Sequence, residues 1–129
     1  MKGYLLDTSV ILVAPEDPNA LSEAVQAAVL DGPNYLSVIS YLEVMLKCMK
    51  GNLAIADPTT WWHDVLGELA AVPLFLLPQH VKGVYGLPSI HKDPFDRILI
   101  AQAAAEALTF VTTDRDIPLY ASQSFRVVV

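Results

Sequence analysis

Four acidic side chains have the type and placement to hold a divalent cation. Asp7 follows the apolar run Gly3 to Leu6, and Asp114 follows the run Thr109 to Thr112. Glu43 comes just after the run Tyr35 to Ile39, and Asp96 closes the stretch Asp93-Pro94-Phe95-Asp96. Brought to one edge, such carboxylates repel one another and raise some of their own pKa values. Hard cations relieve that repulsion and take oxygen ligands; Mg²⁺ suits a few carboxylates plus water and substrate phosphate. A pair of such ions about 4 Å apart activates a water and stabilises the leaving oxygen of a phosphodiester. The chemistry expected of this quartet is metal-dependent phosphodiester hydrolysis.

Each acid also has a purely structural explanation. Ser40-Tyr41-Leu42-Glu43 has the capping-box pattern, in which Glu43 only secures a helix start. Asp93 can cap a helix whose first residue is Pro94, leaving Asp96 as an acid favoured by the helix dipole. Asp114-Arg115-Asp116 can be a solvated turn. Asp7 can cap a following helix, although it ends a run that reads as a buried strand. Against these explanations stands the cost of burying a quartet of carboxylates with no cation.

The elements that would position these acids alternate. Apolar runs at Gly3 to Leu6, Tyr35 to Ile39, Leu74 to Leu77, Thr109 to Thr112 and Phe125 to Val129 read as strands. Helical spacing runs from Asn19 to Leu30, from Ser40 to about Lys50, from Thr59 or Thr60 through Ala71, from Gln79 to Tyr85, and from Asp93 through Leu108. The last of these is rich in alanine, which lets a helix lie close to a sheet. Strands that are continuous apolar runs, alternating with helices, indicate an α/β fold: a central parallel sheet of about five strands flanked by helices. In such sheets the ligand site lies at the carboxyl ends of the strands.

The chain of 129 residues suits one domain, expected to span residues 1–129. Its mean hydropathy of +0.42 argues against disorder, yet proline, glycine or charge breaks every apolar run well short of the ~20 residues of a membrane span. Asp7 interrupts the N-terminal apolar segment, so no signal peptide is expected and the protein is expected in the cytoplasm. The single cysteine, Cys48, excludes an internal disulfide and a thiolate cluster. The net charge of −6 argues against nucleic-acid binding if taken alone. Six of the 14 acids, however, are Asp7, Glu43, Asp93, Asp96, Asp114 and Asp116, and setting them aside leaves eight acids against eight bases. The excess then belongs to a site rather than to the surface.

Other candidates are weaker. His63, His80 and His91 lack metal-ligand spacing; His91, nearest the acids, is either a phosphate contact or a plain loop residue. Lys92, Arg97 and Arg115 lie beside the acids, as contacts to a phosphate backbone or as salt-bridge partners. Trp61-Trp62 should place one ring inward and one nearer the surface.

Four stretches together resemble the PIN-domain ribonuclease toxins of the VapC type. They are Tyr4-Leu5-Leu6-Asp7-Thr8-Ser9, Ser37 to Val44 with Glu43, His91-Lys92-Asp93-Pro94-Phe95-Asp96-Arg97 with the following Ile98 to Ala103, and Val111-Thr112-Thr113-Asp114-Arg115-Asp116. Their order, spacing and the total length agree, and the central stretch is the most specific. The resemblance implies an endoribonuclease dependent on Mg²⁺ or Mn²⁺, acting on transfer or ribosomal RNA. It implies Asp7, Glu43, Asp96 and Asp114 as the catalytic and metal-binding quartet, with Asp93 and Asp116 secondary. Thr8, Ser9 and Thr113 would hydrogen-bond around them. It further implies a toxin homodimer, and a cognate antitoxin whose tail blocks the site. One departure stands out: where the family often has an aromatic after the last acids, Ile117-Pro118 follows here.

In the hydrolytic reading, Asp7 and Asp96 bind the catalytic ion, while Glu43 and Asp114 order its waters or a second ion. The products would carry a 5′-phosphate and a 3′-hydroxyl. The alternative is a non-catalytic acidic module that binds a basic protein partner, its acids serving as caps and turns. A phosphoacceptor aspartate of the receiver type is disfavoured, because the paired acids after the first strand and the late lysine are both missing.

Overall fold

A computed structural model describes residues 3–122 and 125–129; Met1 and Lys2 of the N-terminal segment lie outside it. Five strands form one sheet: β1 (Tyr4–Leu6), β2 (Asn34–Ser37), β3 (Ala71–Leu74), β4 (Thr109–Val111) and β5 (Val127–Val128). The order is β3-β2-β1-β4-β5 and each neighbouring pair is parallel. Helices α1 (Thr8–Ile11), α2 (Glu23–Asp31), α3 (Val38–Met49), α4 (Pro58–Glu68), α5 (Pro78–Tyr85) and α6 (Pro94–Glu106) connect the strands, with 3-10 turns at Pro18–Ala20 and Ile117–Tyr120. This is the α/β fold with a five-stranded parallel sheet expected from the alternation of elements.

Successive strand residues point to opposite faces. Leu6, Leu36 and Val111 therefore pack on one side with Val10 and Ile11 of α1, Val25 of α2 and Val65 of α4. Leu5 and Phe110 pack on the other with Leu99, Ile100 and Ala103 of α6. No helix among the described residues is long and apolar enough to cross a membrane.

Several boundaries differ from the sequence expectation. Strand β3 lies three residues earlier, because Pro73 sits inside it; an edge strand tolerates a residue that has no N–H to donate. Helix α2 starts after Ser22, whose hydroxyl accepts from the Val25 N–H, while Asn19 belongs to the preceding 3-10 turn. Helix α3 starts after Ser37, which accepts from the Ile39 N–H. Ser40 and Glu43 therefore form no capping box: both lie inside the helix, and Glu43 falls in its second turn. Asp93 caps α6 with Pro94 as the first helical residue, as expected.

Strand β1 leaves toward β2, whereas β4 leaves toward β5 on the opposite side. The sheet's topological switch point therefore falls between the carboxyl ends of β1 and β4, where ligands of open parallel sheets bind.

A buried hydrogen bond sets the relative position of α3 and α6. Ser37, the cap of α3, also bonds Gln102 Oε1 of α6, and both residues are fully buried. Gln102→Leu strands the Ser37 hydroxyl and is expected to cost about 1–3 kcal/mol in urea unfolding. Ala107 ends α6 in the left-handed region at φ 55°, a conformation that costs a residue with a Cβ. Ala107→Gly is expected to raise stability by about 0.5–1 kcal/mol, read as a small rise in Tm.

Candidate metal-binding and catalytic site

Asp7 is the best-defined of the expected site residues. It directly follows β1, is only 5% exposed, and caps the one-turn helix α1. Its Oδ1 accepts from the Thr8 N–H at 2.8 Å; its Oδ2 accepts from the Thr112 hydroxyl at 2.7 Å and the Ser9 hydroxyl at 3.2 Å. These three donors favour the ionised form, but burial outweighs them. With Glu43 adding repulsion, the Asp7 carboxyl sits above the usual carboxylate range.

Glu43 reaches the same place from α3. Its Oε1 lies 2.8 Å from the Thr8 hydroxyl, which is also 2.8 Å from the Ser40 hydroxyl. A carboxylate only accepts, so the Thr8 proton goes to Glu43. Its Oε2 pairs with Lys47, one turn along α3, at 3.0 Å.

Asp96, in the first turn of α6, is the most perturbed acid. Burial and the neighbouring Asp7, Asp93 and Glu43 push its carboxyl up to about 7, and His91 opposes the rise. Burial is the larger cause, and the repulsion expected of gathered carboxylates adds to it.

Asp114 follows β4. Its Oδ1 accepts from the Asp116 N–H at 2.9 Å, and its Oδ2 lies 3.0 Å from His91 Nε2. Its own N–H donates to the Thr112 hydroxyl at 3.0 Å, the same hydroxyl that donates to Asp7. Thr112 thus ties the acids after β1 and β4 together.

All four expected acids, with Thr8, Ser9, Lys47 and Asp93, line one open cleft of about 240 Å³. Oxygen donors that crowd one another are the ligand set a hard divalent ion prefers, so the side chains present fit such an ion. His91, Asp96 and Asp114 each offer a donor atom, and these lie within 4.8 Å of one another.

The remaining expected residues divide. Asp93 stands on the cleft wall as the cap of α6. Asp116 is exposed and contributes its backbone N–H to Asp114. Thr113 is also exposed and gives its backbone N–H to Ser9 Oγ at 3.3 Å; the hydroxyl at the centre of the network belongs to Thr112 instead. Lys92 is exposed, and Arg115 lines an adjoining cleft of about 270 Å³ with Ser22, Thr112 and Thr113. Arg97 is committed elsewhere: its guanidinium donates to the carbonyls of Val84, Leu87, Pro88 and His91. It closes the loop before α6, which makes it a structural residue rather than a phosphate contact. Trp62 stacks on Tyr41 with ring centroids 4.8 Å apart, which covers one face of its ring.

Sequence reasoning passed over Lys47 and Thr112, and it read His91 as a phosphate contact or a plain loop residue rather than as a partner of Asp114. Lys47 had a signal, its spacing of four residues from Glu43 on a helix. Thr112 had none that separated it from Thr113, since the register of a strand end decides which hydroxyl points inward.

The PIN-domain family model matches residues 4–122. No curated protein matches the chain. Among solved structures, VapBC2 of Rickettsia felis bound to a promoter DNA fragment superposes with a TM-score of 0.71 at 13% identity, covering 100% of both chains. VapBC-5 of Mycobacterium tuberculosis, of the VapBC family of toxin–antitoxin systems, gives 0.62 at 20% identity over 98% of this chain and 97% of that one. FitAcB of Neisseria gonorrhoeae gives 0.59 at 21% identity over 96% and 95%. With nearly the whole chain matched and the acids gathered at the switch point of its sheet, this protein belongs to the PIN-domain family, whose members are generally nucleases.

Proposed function

We propose that the chain is a metal-dependent endoribonuclease toxin of the VapC type. It hydrolyses phosphodiester bonds of transfer or ribosomal RNA and is inhibited by a cognate antitoxin. The observation that carries this reading is the convergence of Asp7, Glu43, Asp96 and Asp114 on one cleft. Mg²⁺ or Mn²⁺ would supply Lewis-acid charge against the phosphate and lower the pKa of a water. Asp7 and Asp96 would hold the catalytic ion, with Glu43 and Asp114 ordering waters or a second ion. Thr8, Ser9 and Thr112 keep the lone pairs of Asp7 and Glu43 aimed by hydrogen bonds that require no movement during reaction. Lys92 and Arg115, both exposed and next in sequence to Asp93 and Asp114, would contact RNA phosphates.

The structures it resembles include toxin–antitoxin complexes, which supports an antitoxin partner for this chain. The net charge of −6 favours a basic one, as does a groove of about 370 Å³ lined by Glu16, Asp57, Asp64 and Glu68 around Trp61. Exposed Val72 and Phe75 near β3, and Val81 and Tyr85 on α5, support self-association as a homodimer. The proposed compartment is the cytoplasm, where the RNA substrate is.

The direct test incubates antitoxin-free protein with total RNA in Mn²⁺, Mg²⁺ or EDTA. Discrete fragments with 5′-phosphate and 3′-hydroxyl ends are expected only with the ion. Asp7→Asn is expected to reduce cleavage on the order of a hundredfold or more. Cleavage in EDTA, or fragments with 5′-hydroxyl ends, would refute the proposal. Intact RNA from folded protein that binds no divalent ion would favour a non-catalytic binding module.

Stability should report the same carboxylates. Asp96 titrates near 7 folded and near 3.9 unfolded, so between those values the folded state holds the extra proton. Stability of the chelated protein is therefore expected to fall as pH rises from 4.5 to 7.5. The fall due to Asp96 is about 1–2 kcal/mol, after discounting for a half-exposed carboxyl. Urea titrations in EDTA check this, and Asp96→Asn should flatten the decline.

A further inference from the structure

His91 lies in the loop before α6, where Tyr120 and Arg97 hold its backbone and Tyr120 holds one edge of its ring. Its backbone N–H donates to the Tyr120 hydroxyl at 2.7 Å, and its Nδ1 lies 3.2 Å from the same oxygen. Its carbonyl accepts from Arg97, which also fastens Val84, Leu87 and Pro88. The ring tilts against that of Tyr120, with centroids 5.5 Å apart. The other ring nitrogen, Nε2, faces Asp114 Oδ2 at 3.0 Å, on the side where Asp96 also offers an oxygen.

A separation of 3.0 Å is a hydrogen bond, and it is also the spacing of two adjacent ligands on one ion. Metal–ligand bonds of about 2.1 Å at right angles leave neighbouring donors about 3 Å apart. A ligating histidine needs its other ring nitrogen fixed by a partner, the place that Tyr120 takes here. Imidazole is a poor donor to Mg²⁺ and a good one to first-row transition ions.

On the metal-dependent reading above, we propose that His91 is a ligand: its Nε2 joins Asp96 and Asp114 on one ion and makes this cleft selective for Mn²⁺ over Mg²⁺. Binding at Nε2 places the ring proton on Nδ1, donated to the Tyr120 hydroxyl. Without the ion, Tyr120 donates to Nδ1 and Nε2–H donates to Asp114. The ring keeps its place in both states, and only the tautomer changes. His91 thereby adds a nitrogen to an otherwise all-oxygen ligand set.

The test is spin-echo electron paramagnetic resonance of Mn²⁺ bound to the full chain, with calorimetric titrations of Mn²⁺ and Mg²⁺. Nitrogen modulation is expected in the unsubstituted protein and should change when histidine is labelled with ¹⁵N. The assignment is tractable because the chain has three histidines. His80 is fully buried and bonded to Glu106, while His63 is exposed beside Asp64. His91→Asn, which replaces the nitrogen by an amide oxygen, should abolish the modulation. It should also reduce the ratio of Mn²⁺ to Mg²⁺ affinity on the order of tenfold. Bound Mn²⁺ without nitrogen modulation, or modulation that survives His91→Asn, would overturn the role of His91 and leave the hydrolytic reading standing. No divalent ion bound in the cleft would overturn both. The measurement on the unsubstituted chain decides the matter even if the variant fails to fold.

Discussion

The structure turns on a buried carboxylate at the switch point of a parallel sheet. Asp7 is almost fully covered, which a lone charge tolerates poorly. Its stability there depends on donors from several parts of the chain: Thr8 and Ser9 of α1, and Thr112 beyond β4. Strand order brings them together. Because β4 pairs directly with β1, a residue more than a hundred positions away in the chain places its hydroxyl 2.7 Å from Asp7. The same pairing puts Asp114 on the other side of that hydroxyl. The carboxylates are thus locked together before any ligand arrives, and their mutual repulsion is part of the folded state.

Much of this arrangement is legible in the sequence, because the fold and the acids use local signals. Continuous apolar runs marked the strands, and Asp93-Pro94 marked the start of α6. Elsewhere local patterns misled, for identifiable reasons. The apolar run Leu74 to Leu77 suggested a strand just after Pro73, which the edge strand β3 in fact accommodates within it. Ser40 and Glu43 had capping-box spacing, but Ser37 is the better-placed cap, and Ser40 instead faces Thr8 from inside the helix. Glu43 then becomes a wall of the cleft rather than a helix fastener.

Arg97 and His91 show the limit of adjacency as a guide. Both lie within the stretch that most specifically resembles the VapC-type toxins, and beside an acid in sequence each suggested a phosphate contact. The three-dimensional partners differ. Arg97 turns back onto the loop, and its guanidinium donates to the carbonyls of Val84, Leu87, Pro88 and His91. His91 turns toward Asp114 because Tyr120 holds the opposite edge of its ring. Ile117-Pro118 begins a 3-10 turn that buries Ile117 and delivers Tyr120 to His91, so an aromatic does follow the last acids, a few residues farther along the chain.

A site assembled from four elements also needs its helices held in register, and here one polar contact below the cleft is shared between two of them. Ser37 accepts from the first turn of α3 and bonds Gln102, which lies two turns along α6 from Asp96. Gln102 in turn approaches His80 of α5 at 3.5 Å. His80 Nδ1 accepts from the Leu77 N–H, so its proton sits on Nε2 and is donated to Glu106 at the far end of α6. Polar groups buried this deeply tolerate little displacement, because a lost partner leaves a desolvated donor or acceptor. Apolar packing alone would permit small sliding of α3 against α6. The Ser37–Gln102 contact resists that sliding, so the separation of Glu43 and Asp96 is set below the cleft rather than by anything bound within it.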